Sequence, residues 1–274
     1  MLRKMVSLGL AFVLAAGVLA GCGAKDKKDE KDNATGAAVT VESQVLFEQD
    51  GVKATLTGIK MDRTGTDLLI SVQNHTDVNV LVHPYDIYVN GYLIADYMSR
   101  VVAEATETSS AAIMLMRLSM ERNGIKEIGT IEMCLEVSND VTGEVLFTTD
   151  VITAKTSAAA KAQPTPDLKS TIYDKDGIKI GFVGFLETET QALFYVENNS
   201  DKKIRLQESG VLLNGEALYA VWSCNLLPGK RTVQPILFLE DISEAMETVD
   251  VMFVITDAES WEQIGSTGAV QVTK

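Results

Sequence analysis

Leu68, Ile70 and Val72 fall on every second position of their stretch, and so do Ala192, Phe194 and Val196 further along the chain. A period of two with one apolar side is the pattern of a strand that buries one face. "VKATLTGI", "VNVLV", "YDIYVN", "AAIMLM" and "TIEMCLEV" are further short runs rich in β-branched or aromatic residues. Turn-forming residues separate them every eight to twelve positions or so. Asn90-Gly91 and Asn214-Gly215 predict hairpins, because glycine takes the positive φ that such turns need and asparagine tolerates it. Helical periodicity is scarce. Only "SMERNGI" (119–125) and "DISEAMET" (241–248) could form a turn or two.

The strand pattern occurs twice. Residues 68–99 align without a gap on residues 192–223, at an offset of 124. Val72, Asn74 and Asp77 meet Val196, Asn198 and Asp201, Asn90-Gly91 meets Asn214-Gly215, and Ser99 meets Ser223. Upstream, "DGVKATLTGI" faces "DGIKIGFVGF" at 126; downstream, "EIGTIEMCLEV" faces "ETVDVMFVITD" at 120. A duplicated unit of roughly 105–115 residues follows. Seven or more antiparallel strands in that length predict a β-sandwich of immunoglobulin type. The expected fold class is therefore all-β, two tandem immunoglobulin-like antiparallel sandwiches spanning 39–154 and 171–274. Between them, "KTSAAAKAQPTPDLKS" (155–170) holds two of the five prolines and reads as a Pro/Ala-rich linker. The linker would let the repeats move unless an interface pins them.

The first residues depart from this pattern. "MLRKM" carries Arg3 and Lys4, and an uncharged apolar run follows that is too short for a comfortable membrane span. It ends in "LAGC", Leu19 to Cys22, which resembles the lipobox of bacterial lipoproteins. The resemblance implies a signal peptide over 1–21, cleaved before Cys22, whose thiol takes a diacylglycerol. Residues 22–38 would then be the lipidated cysteine and a mixed-charge spacer that cannot bury enough surface to fold. Losing Arg3 and Lys4 takes the formal charge from −14 to −16. So acidic a body is repelled by nucleic acid and by anionic head groups, so no nucleic-acid partner is expected. The membrane, reached through the lipid, is the one partner the sequence names.

A D-G-[VI]-K strand start, a long strand ending V-x-N-x-[ST]-D and a later N-G hairpin recur in both repeats. Each repeat thereby resembles the immunoglobulin-like domains of unknown function found in lipoproteins of Gram-positive bacteria. "LLPGKRT" (226–232) adds the L-x-P-G-[EK] turn of that family, where the first repeat has "AEATETS". The resemblance implies a sandwich fold and a lipid-anchored, extracytoplasmic location on a Gram-positive surface. It implies no activity, since function sits in sites and not in this fold.

Candidate chemistry is thin. The two histidines, His75 and His83, both lie in the first repeat, and Asn199 and Gln207 replace them in the second. They read as turn and strand residues, and no zinc, nucleophile-elbow or phosphate-loop spacing accompanies them. "DKDG" (174–177) begins like a calcium loop, but the later ligand positions fail. No cofactor is expected. Cys134 and Cys224 sit in apolar runs and read as small buried hydrophobes. Trp222 and Trp261 read as core or sheet-edge packing. The local oddity is "HPYDIYVNGYLIADYM" (83–98), which holds Tyr85, Tyr88, Tyr92 and Tyr97 where the gapless alignment gives Ser209, Leu212, Glu216 and Val221. Because the fold does not require them, these tyrosines are candidates for binding an envelope or extracellular protein or glycan; sheet packing is the competing reading.

Together these features predict a non-enzymatic interaction or adhesion-type module held at the cell envelope by lipidated Cys22. A lipoprotein binding a glycan, peptide or metal ion is the alternative. A cell-envelope hydrolase is a further one.

Overall fold

A computed structural model describes residues 39–158, 165–186, 191–238 and 248–273. Cys22, the expected lipidation site, the expected spacer and most of "DISEAMET" lie outside the described residues. Apart from one helix, Arg117–Arg122, the described elements are strands.

The duplication holds strand by strand. In the first repeat one layer runs Gln44–Gln49, Val52–Met61, Gly65–Asn74, Thr108–Met116 and Tyr97–Ser99. The facing layer is built on Val80–Val89 and Thr130–Asn139, flanked by Tyr92–Leu93, Val101–Ala103, Val145–Thr148 and Ile152–Lys155. In the second repeat the same order recurs as Ser170–Lys175, Ile178–Phe185, Gln191–Asn198, Lys230–Phe238 and Ala220–Val221. Its facing layer is built on Ile204–Leu213 and Val249–Asp257. Leu56, Ile70, Val82 and Leu135 of the two first-repeat layers meet in one core, and Ile180, Phe194, Leu206 and Phe253 do the same in the second repeat. Each repeat is a sandwich, as the alternation predicts.

Hairpins and bulges repeat too. Asp50-Gly51, Asn90-Gly91, Asp176-Gly177 and Asn214-Gly215 all have positive φ at both residues, the requirement of a two-residue type I′ turn. Bulges at Val45/Phe47, Leu56/Gly58 and Pro84/Asp86 recur at Thr171/Tyr173, Phe182/Gly184 and Glu208/Gly210. The strand registers correct two offsets. Tyr97 pairs with Leu115 as Ala220 pairs with Phe238, so the gapless alignment slips by one after Leu93, and Tyr97 answers to Ala220 rather than Val221. Val89 pairs with Ile131 as Leu213 pairs with Val249, which makes the downstream offset 118 rather than 120. An even slip leaves every side chain on its original face, so hydrophobic pattern alone could not detect it.

"VQNHTD" and its echo "VENNSD" form equivalent corners. Asn74 is buried; its amide donates to the Val78, Ala103 and Glu104 carbonyls, and its Oδ1 accepts from the Thr76 amide and hydroxyl. Asn198 is likewise buried, donates to Lys202 and Leu226 carbonyls, and accepts from the Ser200 amide and hydroxyl. The His75 side chain makes none of these bonds; its backbone amide donates to the Gly51 carbonyl at 2.8 Å, as the Asn199 amide donates to the Gly177 carbonyl at 2.7 Å. Asn198→Ala strands the Leu226 carbonyl inside the protein, and the expected loss is about 2–3 kcal/mol in urea unfolding.

The repeats do not sit apart as beads on a linker. From residue 38 onward the chain is one compact unit. Arg231 pairs in parallel with Tyr92, so the Tyr92–Leu93 strand joins a first-repeat layer to a second-repeat layer as one continuous sheet.

Candidate functional site

The tyrosines lead to the seam between the repeats. Tyr88 and Tyr92 are wholly buried, Tyr97 is half-buried and Tyr85 is 41% exposed. Tyr88 and Leu93 extend from the first repeat into the core of the second, while Tyr195 and Val233 return the contact into the first core. Tyr88 accepts a hydrogen bond from the Leu227 amide at 3.2 Å. Each of the three seam tyrosines carries a second-repeat cation on its ring: Lys203 lies 5.6 Å from Tyr85, Lys230 lies 5.4 Å from Tyr88 and Arg231 lies 5.2 Å from Tyr92. Tyr97 stays within its own repeat, donating to the Pro84 carbonyl at 2.6 Å. The surface that the sequence offered to an outside partner is thus covered, at Tyr88 and Tyr92, by the second repeat.

Two ion pairs, one amide and the Thr232 hydroxyl, which donates to the Leu93 carbonyl at 3.2 Å, also cross the seam. Lys203 bonds Asp86 at 2.7 Å, and Lys230 bonds both Glu132 oxygens at 2.6 Å. The Pro84/Asp86 bulge turns Ile87 and Val89 into the first core and leaves Asp86, with Tyr88, on the face that the second repeat buries. Asn123, just past the helix, donates to the Leu93 carbonyl and accepts from the Val233 amide at 2.7 Å. Burial pushes the Tyr88 hydroxyl well above its ordinary range, and the Asp86 carboxylate adds to the shift. The two cysteines among the described residues are free and buried; burial raises the Cys134 thiol and pushes Cys224 up to about 12, so neither is a thiolate at neutral pH. Among the described residues no three of His, Cys, Asp and Glu gather as a metal site requires.

Neither half of this seam is duplicated. Register equivalents of Asp86, Tyr88 and Tyr92 are Gly210, Leu212 and Glu216; those of Lys203, Lys230 and Arg231 are Asn79, Glu107 and Thr108. Each of these six residues is present only in the repeat that has something to touch. A second chain docking its first repeat onto Leu212 and Glu216, or offering Glu107 where Lys230 should be, meets the wrong charge and shape. The joint forms once per chain, which explains why three of the seven tyrosines, Tyr85, Tyr88 and Tyr92, crowd one short stretch.

Of the two tryptophans that the sequence reads as core or sheet-edge packing, Trp261 departs from that reading and lies exposed beside the turn after Val249–Asp257. Trp222 is a core residue, its ring 5.4 Å from Phe253. Trp261 is 62% exposed and adopts φ +63°. The turn holding it repeats one in the first copy. Asp257 Oδ1 accepts from the Glu259 and Ser260 amides, and the Trp261 amide donates to the Asp257 carbonyl. Asn139 plays the same part for Val141, Thr142 and Gly143, and Gly143 has φ +72°. Those amide bonds, with Lys202 beside it, hold the Asp257 carboxyl at about 2. A bulky residue in the left-handed region costs about 1–2 kcal/mol. The Arg205 guanidinium, 4.9 Å from the indole, returns about 0.5–1 kcal/mol. The stack therefore does not offset the strain.

No family model matches the chain, and no curated protein matches it. Among solved structures it is similar to the YadV chaperone, at 10% identity and TM-score 0.24 over 76% of this chain and 92% of that one. It is similar to the E. coli chaperone DraB at 10% identity and TM-score 0.22, over 75% of this chain and 87% of that one. A protein of unknown function from Porphyromonas gingivalis W83 matches at 14% identity and TM-score 0.21, over 86% of this chain and 99% of that one. At such identities and TM-scores the likeness says nothing of what this chain binds.

Proposed function

We propose that the chain is a lipid-anchored, non-enzymatic interaction module on the extracytoplasmic face of the cell membrane. The observation that carries the reading is the order of its parts: the LAGC lipobox, a charged spacer, then a body of two sandwiches locked by a one-time seam. The tether sets where the protein is, and the acidic charge holds the body off anionic head groups. The seam fixes one repeat against the other. Surfaces on both are then presented in a single geometry, which lowers the ordering cost of binding.

Intact-cell photocrosslinking tests this reading. Photoreactive side chains placed at exposed Val141 and Leu237, one in each repeat, are expected to yield reproducible adducts with envelope components. Catalytic turnover of an envelope polymer by the purified chain, in place of stoichiometric binding, contradicts it.

A further inference from the structure

We infer that the outward face of the second repeat's Ile204–Leu213 sheet binds a pyranose saccharide, with Trp261 as the stacking platform. The inference rests on the reading of the chain as an interaction module and names its ligand class. Two rows of side chains cross that face. Asn225, Arg205 and Thr256 are paired across three strands, and Ser223, Gln207 and Val254 form the next row. Their neighbours Ile204, Leu206, Cys224 and Ile255 point the other way, into the core.

The chemistry of these six positions is selective. Two amides, two hydroxyls and a guanidinium stand there with one aliphatic side chain and no carboxylate, on a chain with 38 acidic residues. One aliphatic residue provides little apolar area to drive a protein interface. One guanidinium on an acidic body is too little charge for nucleic acid. Amide and hydroxyl groups suit a hydroxyl-rich ligand, and the Arg205 Nε, buried without a partner, shows that the guanidinium is not fully engaged by the protein. At the rim, Trp261 offers the flat apolar surface on which the C–H face of a sugar ring stacks.

The fold itself requires none of this. The first repeat pairs the same strands with Leu81, Val102 and Ser138 in one row and His83 and Glu136 in the next, and sets Gly143 at the place of Trp261. Relaxed glycine has become a strained, exposed tryptophan in the one repeat that has the polar face. Arg205 carries the only formal charge among the six positions, so a sugar bearing a carboxylate matches best.

The test uses tryptophan fluorescence of the full chain in detergent. Because Trp222 is 6% exposed and Trp261 is 62% exposed, acrylamide quenching reports chiefly on Trp261. Tetragalacturonate is expected to protect saturably against quenching, and cellotetraose more weakly. Direct binding of tetragalacturonate, read by calorimetric titration, should weaken at least about tenfold in Trp261→Gly and in Arg205→Ala. Trp261→Gly restores the first repeat's residue at the same φ, so its melting temperature should equal or exceed the parent's. Absence of protection, or binding indifferent to both substitutions, overturns the inference. Equal affinity for the neutral tetramer removes Arg205 from it. An envelope crosslink that survives Trp261→Gly leaves the interaction module standing and eliminates the saccharide as its ligand.

Discussion

Tyr88→Ala is expected to destabilise the whole chain by about 3–5 kcal/mol, the range for truncating a large buried aromatic. The ring belongs by sequence to the first repeat and by packing to the core of the second. Truncation opens a cavity at the point where the two cores meet. It also orphans the Leu227 amide and removes the surface under Lys230. Tyr88→Leu is the control, since leucine is what the second repeat has at the equivalent position. It keeps most of the apolar volume and loses chiefly the hydrogen bond, for about 1–3 kcal/mol. Urea unfolding followed by fluorescence separates the two. A loss under about 1 kcal/mol in Tyr88→Ala would mean that the seam does not form in solution.

Cys22→Ala is expected to move the protein from the membrane fraction to the soluble fraction. No other thiol can replace it, because Cys134 and Cys224 are buried in the folded body and are kept protonated by burial. The remaining apolar run before Cys22 is too short for a comfortable span. Fractionation with and without metabolic lipid labelling reads both lipid and location. Membrane retention of the unlabelled variant would contradict the anchor.

Much of the fold was legible because its signals are local. Alternation at Leu68, Ile70 and Val72 marks a buried strand face, and Asn90-Gly91 marks a hairpin, without reference to anything distant. The duplication then supplied a second reading of every strand. What the sequence hid was which surfaces meet. The tyrosine cluster stood out because the second repeat lacks it, and that asymmetry suggested an outside partner. The complementary asymmetry, Lys203, Lys230 and Arg231 against Asn79, Glu107 and Thr108, lay in the other repeat and pointed to an inside one. Asn123 resembled an ordinary residue at a helix end; only its bond to Val233 shows its role. Trp261 was concealed by arithmetic. An offset of 120 sets it against Val141, whereas the offset of 118 from the strand register sets it against Gly143. Only the second comparison shows that tryptophan has replaced a glycine the turn prefers.

The central claim is that the seam makes the two repeats one body, and scanning calorimetry of the full chain tests it most directly. The expected result is a single endotherm whose calorimetric and van't Hoff enthalpies agree, splitting into two in Tyr88→Ala. Two resolved transitions in the unmodified chain, one for each sandwich, would contradict it.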